Sequence, residues 1–352
     1  MKKHVVASSI LLALLSGTAM ANDAVNFYGA MRMSVTDADT GFASNPGGGE
    51  GTTLENDMTM VGIKGAVELN SALNLIYQAE VLVQAEDDSN GSEPFKSRDT
   101  WLGLQGQFGS IKFGRIGQAF WKAEGGVDQF NLTNTDIGRI FSGNSRYGDS
   151  IMYQSPTIGG ATFMASYQLE DDAKAKDYDK DWDKQGDLYS AAILFGDKKL
   201  KKSNYFLAAG YNAGMGGDEA FRITGQTKLG DLKIGAIFQD TQDLQYDNLD
   251  GNGFTVDLAY PITKNISLKA RYAQDDSGNG KYAGNVIKSV SAAKGDITKA
   301  EVTNYAIGAD YKLSKSAKMF AHYSRFDAEV ATTETLYDDG DNIFTVGMHY
   351  KF

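Results

Sequence analysis

The sequence predicts an all-β fold: a transmembrane antiparallel up-and-down β-barrel of sixteen strands, formed as a single domain by residues 22–352. Three observations predict it. Apolar and polar residues alternate with period two over segments about ten residues long, the connections between these segments alternate between tight and long, and the composition is that of an exported chain without cysteine. The 352 residues include 40 glycines, 18 tyrosines and 18 phenylalanines but only four prolines, at a mean hydropathy of −0.34. No stretch beyond the amino-terminal segment is apolar enough to span a bilayer as a helix. A barrel tolerates this, because its strands alternate and never become continuously apolar.

The first residues, MKKHVVASSILLALLSGTAMA, set Lys2 and Lys3 before an apolar run centred on Ile10–Leu15, with small residues at Thr18, Ala19 and Ala21. This is the plan of a cleaved signal peptide spanning residues 1–21, and its apolar run is shorter than the roughly 20 residues a spanning helix needs. Removing it takes away two lysines and no acidic residue, so the net charge moves from −11 to −13. An acidic chain lacks the basic face that a polyphosphate backbone requires, which argues against nucleic acid as a partner. With no cysteine, the exported chain folds without disulfides.

Alternation is plainest in ALNLIYQAEVLVQ, where Leu73, Leu75, Tyr77, Ala79, Val81 and Val83 share one face and Asn74, Gln78, Glu80 and Gln84 the other. Phe254, Val256, Leu258 and Tyr260 oppose Thr255 and Asp257 in the same way, as do Tyr305, Ile307, Ala309, Tyr311 and Leu313 against Asn304, Asp310 and Lys312. Such segments fall near 26–36, 58–69, 72–85, 99–108, 110–116, 150–155, 161–170, 187–196, 203–212, 219–229, 231–241, 252–261, 265–274, 302–313, 316–326 and 342–352. Tight connections at Asn70–Ser71, Gly109, Thr157–Gly160, Asp197–Lys202, Gly230, Thr263–Asn265 and Ser314–Lys315 alternate with long polar ones such as EDDAKAKDYDKDWDKQGD. Short turns at one end and long loops at the other match a barrel with its turns in the periplasm. Pro46 and Pro94 fall in loops, while Pro156 and Pro261 fall where strands meet turns, places a ladder tolerates a missing donor. A soluble sandwich also alternates, but does not account for the signal peptide, the missing disulfides and the turn rhythm together.

The segments VNFYGAMRMSV, VGIKGAVEL, SRDTWLGLQGQFGSIKFGRIGQ and NSRYGDSIMYQSPTIGGATFMASYQ, with the terminal HYKF, resemble the Gram-negative general porins, the sixteen-stranded trimeric diffusion channels. The resemblance covers both ends and the first half of the chain. It implies that a long third loop, Gly117 to Asp149, folds into the lumen and narrows it, and a loop of this length without obvious structure is commonly functional. It further implies acidic loop residues, here Glu124, Asp128 and Asp136, facing a basic wall. By parity Arg32 and Lys64 point inward, and Arg98 and Arg146 match the family's arginine positions. Met60 stands where many relatives carry an arginine, which thins the basic ladder, and Arg115 resembles an arginine that relatives use near a subunit interface.

Other motifs carry less. Asp177, Asp179 and Asp181 are spaced like the start of a calcium loop, but Trp182 takes the glycine position and Leu188 that of the final glutamate, so no metal ligand is expected beyond weak divalent bridging to lipopolysaccharide. His322 and His349 have no nucleophile motif nearby, and neither an enzyme activity nor a cofactor is expected. Trp101, by parity an inward residue, together with Phe120, Trp121 and Phe130 raises the alternative of a saccharide-selective pore with sugar-stacking aromatics.

The expectation is therefore a trimeric passive channel of the Gram-negative outer membrane, admitting small hydrophilic solutes and ions. The charge of −13 and the residue at Met60 point to a mild cation preference. Its expected partners are outer-membrane lipid and lipopolysaccharide, two further copies of itself, and the barrel-assembly machinery. In the final segment Phe344, Val346, Met348, Tyr350 and Phe352 form an outward stripe that pairs with the first strand, and Phe352 resembles the terminal aromatic by which such barrels are recognised for assembly.

Overall fold

The computed structural model describes residues 25–45, 48–84, 93–169, 188–290 and 294–352. The signal peptide at 1–21, Pro46 and the acidic run containing Asp177, Asp179 and Asp181 lie outside them. Seventeen antiparallel strands form one closed sheet: β1 Asn26–Ala38, β2 Gly51–Asn56, β3 Met60–Asn70, β4 Leu73–Val83, β5 Phe95–Gly106, β6 Gly109–Gly117, β7 Arg146–Gln154, β8 Ala161–Gln168, β9 Leu188–Gly196, β10 Tyr205–Ala213, β11 Asp218–Leu229, β12 Leu232–Asp243, β13 Asp250–Pro261, β14 Ile266–Asp275, β15 Ile297–Lys312, β16 Ala317–Thr332 and β17 Leu336–Lys351.

Two of these strands share one stave. β1 pairs with β2 through its second half, Met33 opposite Asn56, and with β3 through its first half, Ala30 opposite Met60. Asp57, Met58 and Thr59 therefore stand against Met31 and Arg32, one residue too many, and the excess is taken up by a break at which Met58 adopts φ 68°. The barrel has sixteen staves, and each alternating segment of the sequence lies on one of them.

Period two sets which side chains meet lipid. Along β17, Phe344, Val346, Met348 and Tyr350 are exposed while Thr345 and His349 are buried. Closing the sheet leaves no backbone N–H or C=O row facing hydrocarbon, the condition any spanning sheet must meet. Polar groups on the inner parity are cheap, whereas an arginine or lysine on the lipid side at mid-membrane would cost about 2–4 kcal/mol.

The rhythm of long loops holds less strictly than the sequence predicts. β10 and β11 are joined by Gly214–Gly217, and β16 and β17 by residues 333–335, because β15, β16 and β17 run for 16 residues each. The polar stretch 327–341 reads as loop, yet Phe326, Ala328 and Val330 continue the alternation with their apolar side turned inward and buried. They are buried by a helix that the sequence reading did not anticipate. Besides the short α1, Ala119–Lys122, the chain forms α2, Lys281–Ser289, which buries Tyr282, Ala283, Val286 and Ile287. The i, i+1, i+4, i+5 spacing of those four residues is the signal that marks it. Tyr282 stacks on Phe326 at 4.5 Å and 9° between ring planes, and the cluster extends to Ile137, Ile140 and Phe141.

The seam pairs β1 with β17 from Ala30 opposite Lys351 to Ala38 opposite Ile343. Phe352 extends it, donating to and accepting from the Gly29 backbone at 3.1 Å, with its ring 5.9 Å from Phe27. A side chain at Gly29 would collide with the Phe352 ring, so only glycine leaves room for this contact. Deleting Phe352 removes two hydrogen bonds, each about 1 kcal/mol, and the ring that covers Gly29. The fraction of closed barrel, read from its resistance to unfolding in SDS, is expected to fall severalfold; an unchanged fraction would contradict this.

Candidate functional site

The chain between β6 and β7, residues 118–145, is bonded to inward-parity side chains around much of the sheet. Its two ends are tied together, Gln118 N donating to Ser145 O at 3.2 Å and Gln118 Nε2 to Gly143 O at 2.7 Å. α1 is held by two serine hydroxyls, Ser166 Oγ accepting from Ala119 N at 3.0 Å and Ser190 Oγ from Phe120 N at 3.3 Å. Its close approach to β10 depends on Gly210, where a Cβ would stand 3.0 Å from that of Ala123. Gln226 Nε2 then donates to Gly126 O at 2.7 Å, and Lys269 Nζ to Gln129 O at 3.2 Å.

The strongest tether is a guanidinium between two carboxylates. Arg271 forks onto Asp257, Nε to Oδ1 at 2.9 Å and Nη2 to Oδ2 at 2.7 Å, while Nη2 also reaches Asp128 Oδ1 and Nη1 donates to Thr135 O at 2.5 Å. Asp128 meanwhile accepts from the backbone N–H groups of Phe130 at 2.8 Å and Ile137 at 3.0 Å. Each carboxylate oxygen of the cluster accepts at least one hydrogen bond, which is what makes a buried charge cluster tolerable. Beyond it, Asn134 Nδ2 donates to Thr36 and Thr345 hydroxyls at 3.0 and 2.9 Å, spanning the seam. Its Oδ1 must then accept, so the proton shared with His322 at 2.9 Å sits on His322 Nε2. Arg222 closes the circuit, with Nη1 to Asn144 Oδ1 at 3.0 Å and its guanidinium over Phe120 at 4.5 Å.

Two cavities flank this segment. One, of about 550 Å³, lies at the short-turn end and includes Gln129 in its wall; the other, of about 790 Å³, lies at the long-loop end and is bordered by residues 131–133, 136 and 138–139 and by 141–147. Arg98, Arg146, Trp121 and Asp136 line the second. Arg98 pairs with Glu80 at 2.5 Å and touches Met58 Sδ at 3.6 Å, and Arg146 pairs with Asp99 at 2.6 Å and lies over Trp121 at 4.6 Å.

The other expected residues are placed differently. Arg32 points inward but is buried behind Met58, donating to its carbonyl at 2.5 Å. Lys64 lies near the middle of β3, exposed, over the Tyr28 ring at 4.7 Å. Glu124 and Asp128 face the wall and not the long-loop cavity: Glu124, 6% exposed, accepts from Asn144 Nδ2 at 2.5 Å, and Asp128 is held by Arg271. Burial, with Asp128 and Asp136 nearby, pushes the Glu124 carboxyl up to about 8, and the same causes raise that of Asp136. Of the aromatics, Phe120 and Phe130 are fully buried and Trp101 is covered by Lys112 at 4.5 Å, which leaves Trp121 beside the long-loop cavity.

Sequence reasoning missed Arg271, Arg222 and Met58. Inward parity marks the two arginines, but nothing local distinguishes a wall arginine that seizes the loop from one that faces solvent. Replacing Arg271 with Met would leave Asp128 and Asp257 buried without their cation, and unfolding stability is expected to drop by about 3–5 kcal/mol. Protease cleavage within 118–145 should appear in the same variant; retention of both properties would show that the cluster does not anchor the segment.

Residues 7–331 match the sequence profile of the Gram-negative porins. The chain is 27% identical over 184 residues to the major outer membrane protein P.IB of Neisseria sicca, covering 50% of each, and 25% identical over 189 residues to P.IA of Neisseria meningitidis serogroup B / serotype 15 (strain H44/76), covering 51% of this chain and 46% of that one. It thus spans about half the length of the curated relatives it matches. Among solved structures it resembles the anion-selective porin from Comamonas acidovorans (TM-score 0.69, 17% identity, 93% of this chain and 99% of that one) and Salmonella typhi OmpF in complex with daunomycin (0.67, 17%, 93% and 97%). It also resembles the trimer form of Vibrio cholerae OmpT (0.66, 16%, 93% and 99%). At these identities the likeness is one of fold.

Proposed function

The chain belongs to the Gram-negative porin family and is an outer-membrane β-barrel, and on that premise we propose that it forms a water-filled channel for passive diffusion of small hydrophilic solutes and ions. The observation that carries the proposal is the segment 118–145, bonded to the inner parity of the wall and flanked by a polar cavity at each end. In this reading the segment crosses the lumen and sets the size limit. The chain acts as a homotrimer in contact with lipopolysaccharide and is inserted by the barrel-assembly machinery, Phe352 being part of the signal.

The charges lining the two cavities bear on ion preference, and they weigh against the cation preference expected from the sequence. Arg98, Arg139, Arg146, Lys281 and Lys294 line the long-loop cavity against Asp136, Asp218 and Asp243, and the short-turn cavity has eight lysines against two aspartates. Charges this close to the permeation path act within about one Debye length, roughly 10 Å at 0.1 M salt, and outweigh the chain's net charge, which is summed over residues far from the path. The channel therefore prefers anions. No contact favours the saccharide reading, since Phe120 is buried and both Trp101 and Trp121 are covered by cations.

In a KCl gradient across a planar bilayer, the reversal potential should take the sign of chloride preference; the opposite sign would overturn the anion reading, and absence of conductance the channel itself. Liposome swelling ranked by solute size alone would exclude sugar selectivity. Glu124, raised to about 8, is mostly neutral at pH 7 and gains its negative charge as pH rises through that value. Anion preference should therefore weaken between about pH 7 and about pH 9, and Glu124→Gln should remove part of that change.

A further inference from the structure

The short-turn end of the lumen concentrates positive charge beyond what its own carboxylates balance. Lys228 stands directly opposite Lys233 across β11 and β12, and Lys312 opposite Lys318 across β15 and β16, all on the inner parity. Like charges in directly opposed positions destabilise a sheet. Two such pairs facing one cavity therefore call for a compensating negative charge.

Among the described residues two acidic ones line that cavity, and both are engaged. Asp310 is held by Lys269 at 2.9 Å and Lys318 at 2.8 Å, and Asp231 lies 3.6 Å from Lys228. Lys233, Lys264, Lys312, Lys315 and Lys351 also line it, and among the described residues none of them has a carboxylate within ion-pair distance. The site is built from three hairpins, β11–β12, β13–β14 and β15–β16, and the end of β17, under the carbonyl of Gln129, whose partner Lys269 is the buried link to the tethered segment.

We propose that this cavity is a binding site for small multivalent oxyanions, a reading that rests on the channel proposed above and deepens it. Its volume of about 550 Å³ suits an anion the size of tripolyphosphate or citrate. The low-dielectric barrel wall on which they stand focuses the field of the lysines into the cavity. The use of lysine and not arginine decides what is recognised. Ammonium groups are compact, strongly hydrated point charges without the planar fork that selects carboxylate or phosphate geometry, so the site reads total charge and releases its ligand readily. Binding is correspondingly weakened by salt.

The test is calorimetric titration of the intact barrel in detergent with sodium tripolyphosphate, citrate and acetate at low salt. Saturable binding at one site per chain, strongest for tripolyphosphate, weaker for citrate and absent for acetate, supports the site. Citrate as inert as acetate would overturn recognition by charge, and an equal response to all three would overturn the site. The variant Lys233→Gln/Lys312→Gln/Lys315→Gln, checked for closure by its resistance to SDS, should lower tripolyphosphate affinity at least about tenfold through loss of three weakly screened charges; unchanged affinity would refute the assignment. The unaltered protein provides a second readout. Tripolyphosphate added at the short-turn side of a bilayer should reduce single-channel current at lower concentration than from the loop side, and equal block from both sides would count against the site. A chain that binds without conducting would overturn the diffusion reading alone, and one that conducts without saturable binding would overturn the site alone.

Discussion

Hydrocarbon offers the backbone no hydrogen-bond partner, and the rest of this structure depends on that constraint. A sheet that must pair every N–H and C=O within itself has to close, and here it closes where β1 meets β17 and Phe352 meets Gly29. Closure divides every strand into two faces. The lipid face takes Phe, Tyr, Met and Val, as along β17, and the lumen is left as the face on which charge is affordable. The arginines and lysines that concern function are therefore confined to one parity before any loop is placed.

A lumen lined with charge has to be ordered by something other than the hydrophobic effect, and the segment 118–145 shows how. Arg271 holds Asp128 and Asp257 together: the desolvation of the guanidinium is offset by the two carboxylates, and that of each carboxylate by the guanidinium and by backbone donors. Against this polar anchor the long-loop half adds an apolar one. α2 packs Tyr282, Val286 and Ile287 against Ile137, Ile140 and Phe141 of the segment and against Phe326 of the wall. Inside this part of the barrel the inner face is apolar, the reverse of its short-turn end.

Net charge proves a poor guide to such a molecule. A chain at −11 places eight lysines and two aspartates around one cavity, because the sum runs over loops and rims while a permeating ion responds to what lies within a Debye length. The acidic residues that resemblance sets against the basic wall illustrate the same point from the other side. Asp136 does line the long-loop cavity, but Glu124 is turned to Asn144 and Asp128 to Arg271.

The sequence by itself determined the number of staves, their order and the face each side chain takes, because period two is a local property: a residue's parity follows from its immediate neighbours. Arg32, Trp101 and His349 all point inward as alternation requires, whereas Arg98, on the opposite parity to Trp101, is turned inward by the register shift of β5 opposite Glu80. It missed α2, whose apolar spacing is visible at Tyr282, Ala283, Val286 and Ile287, and it read 327–341 as loop because polar residues there outnumber the inward Ala328 and Val330. Only the tertiary structure decided which charges meet. Asp128 and Arg271 lie 143 positions apart in the chain, and Asn134 and Thr345 211 apart. Whether a carboxylate faces water or a guanidinium depends on how the closed sheet brings distant staves beneath the same stretch of loop, and no local pattern encodes that distance.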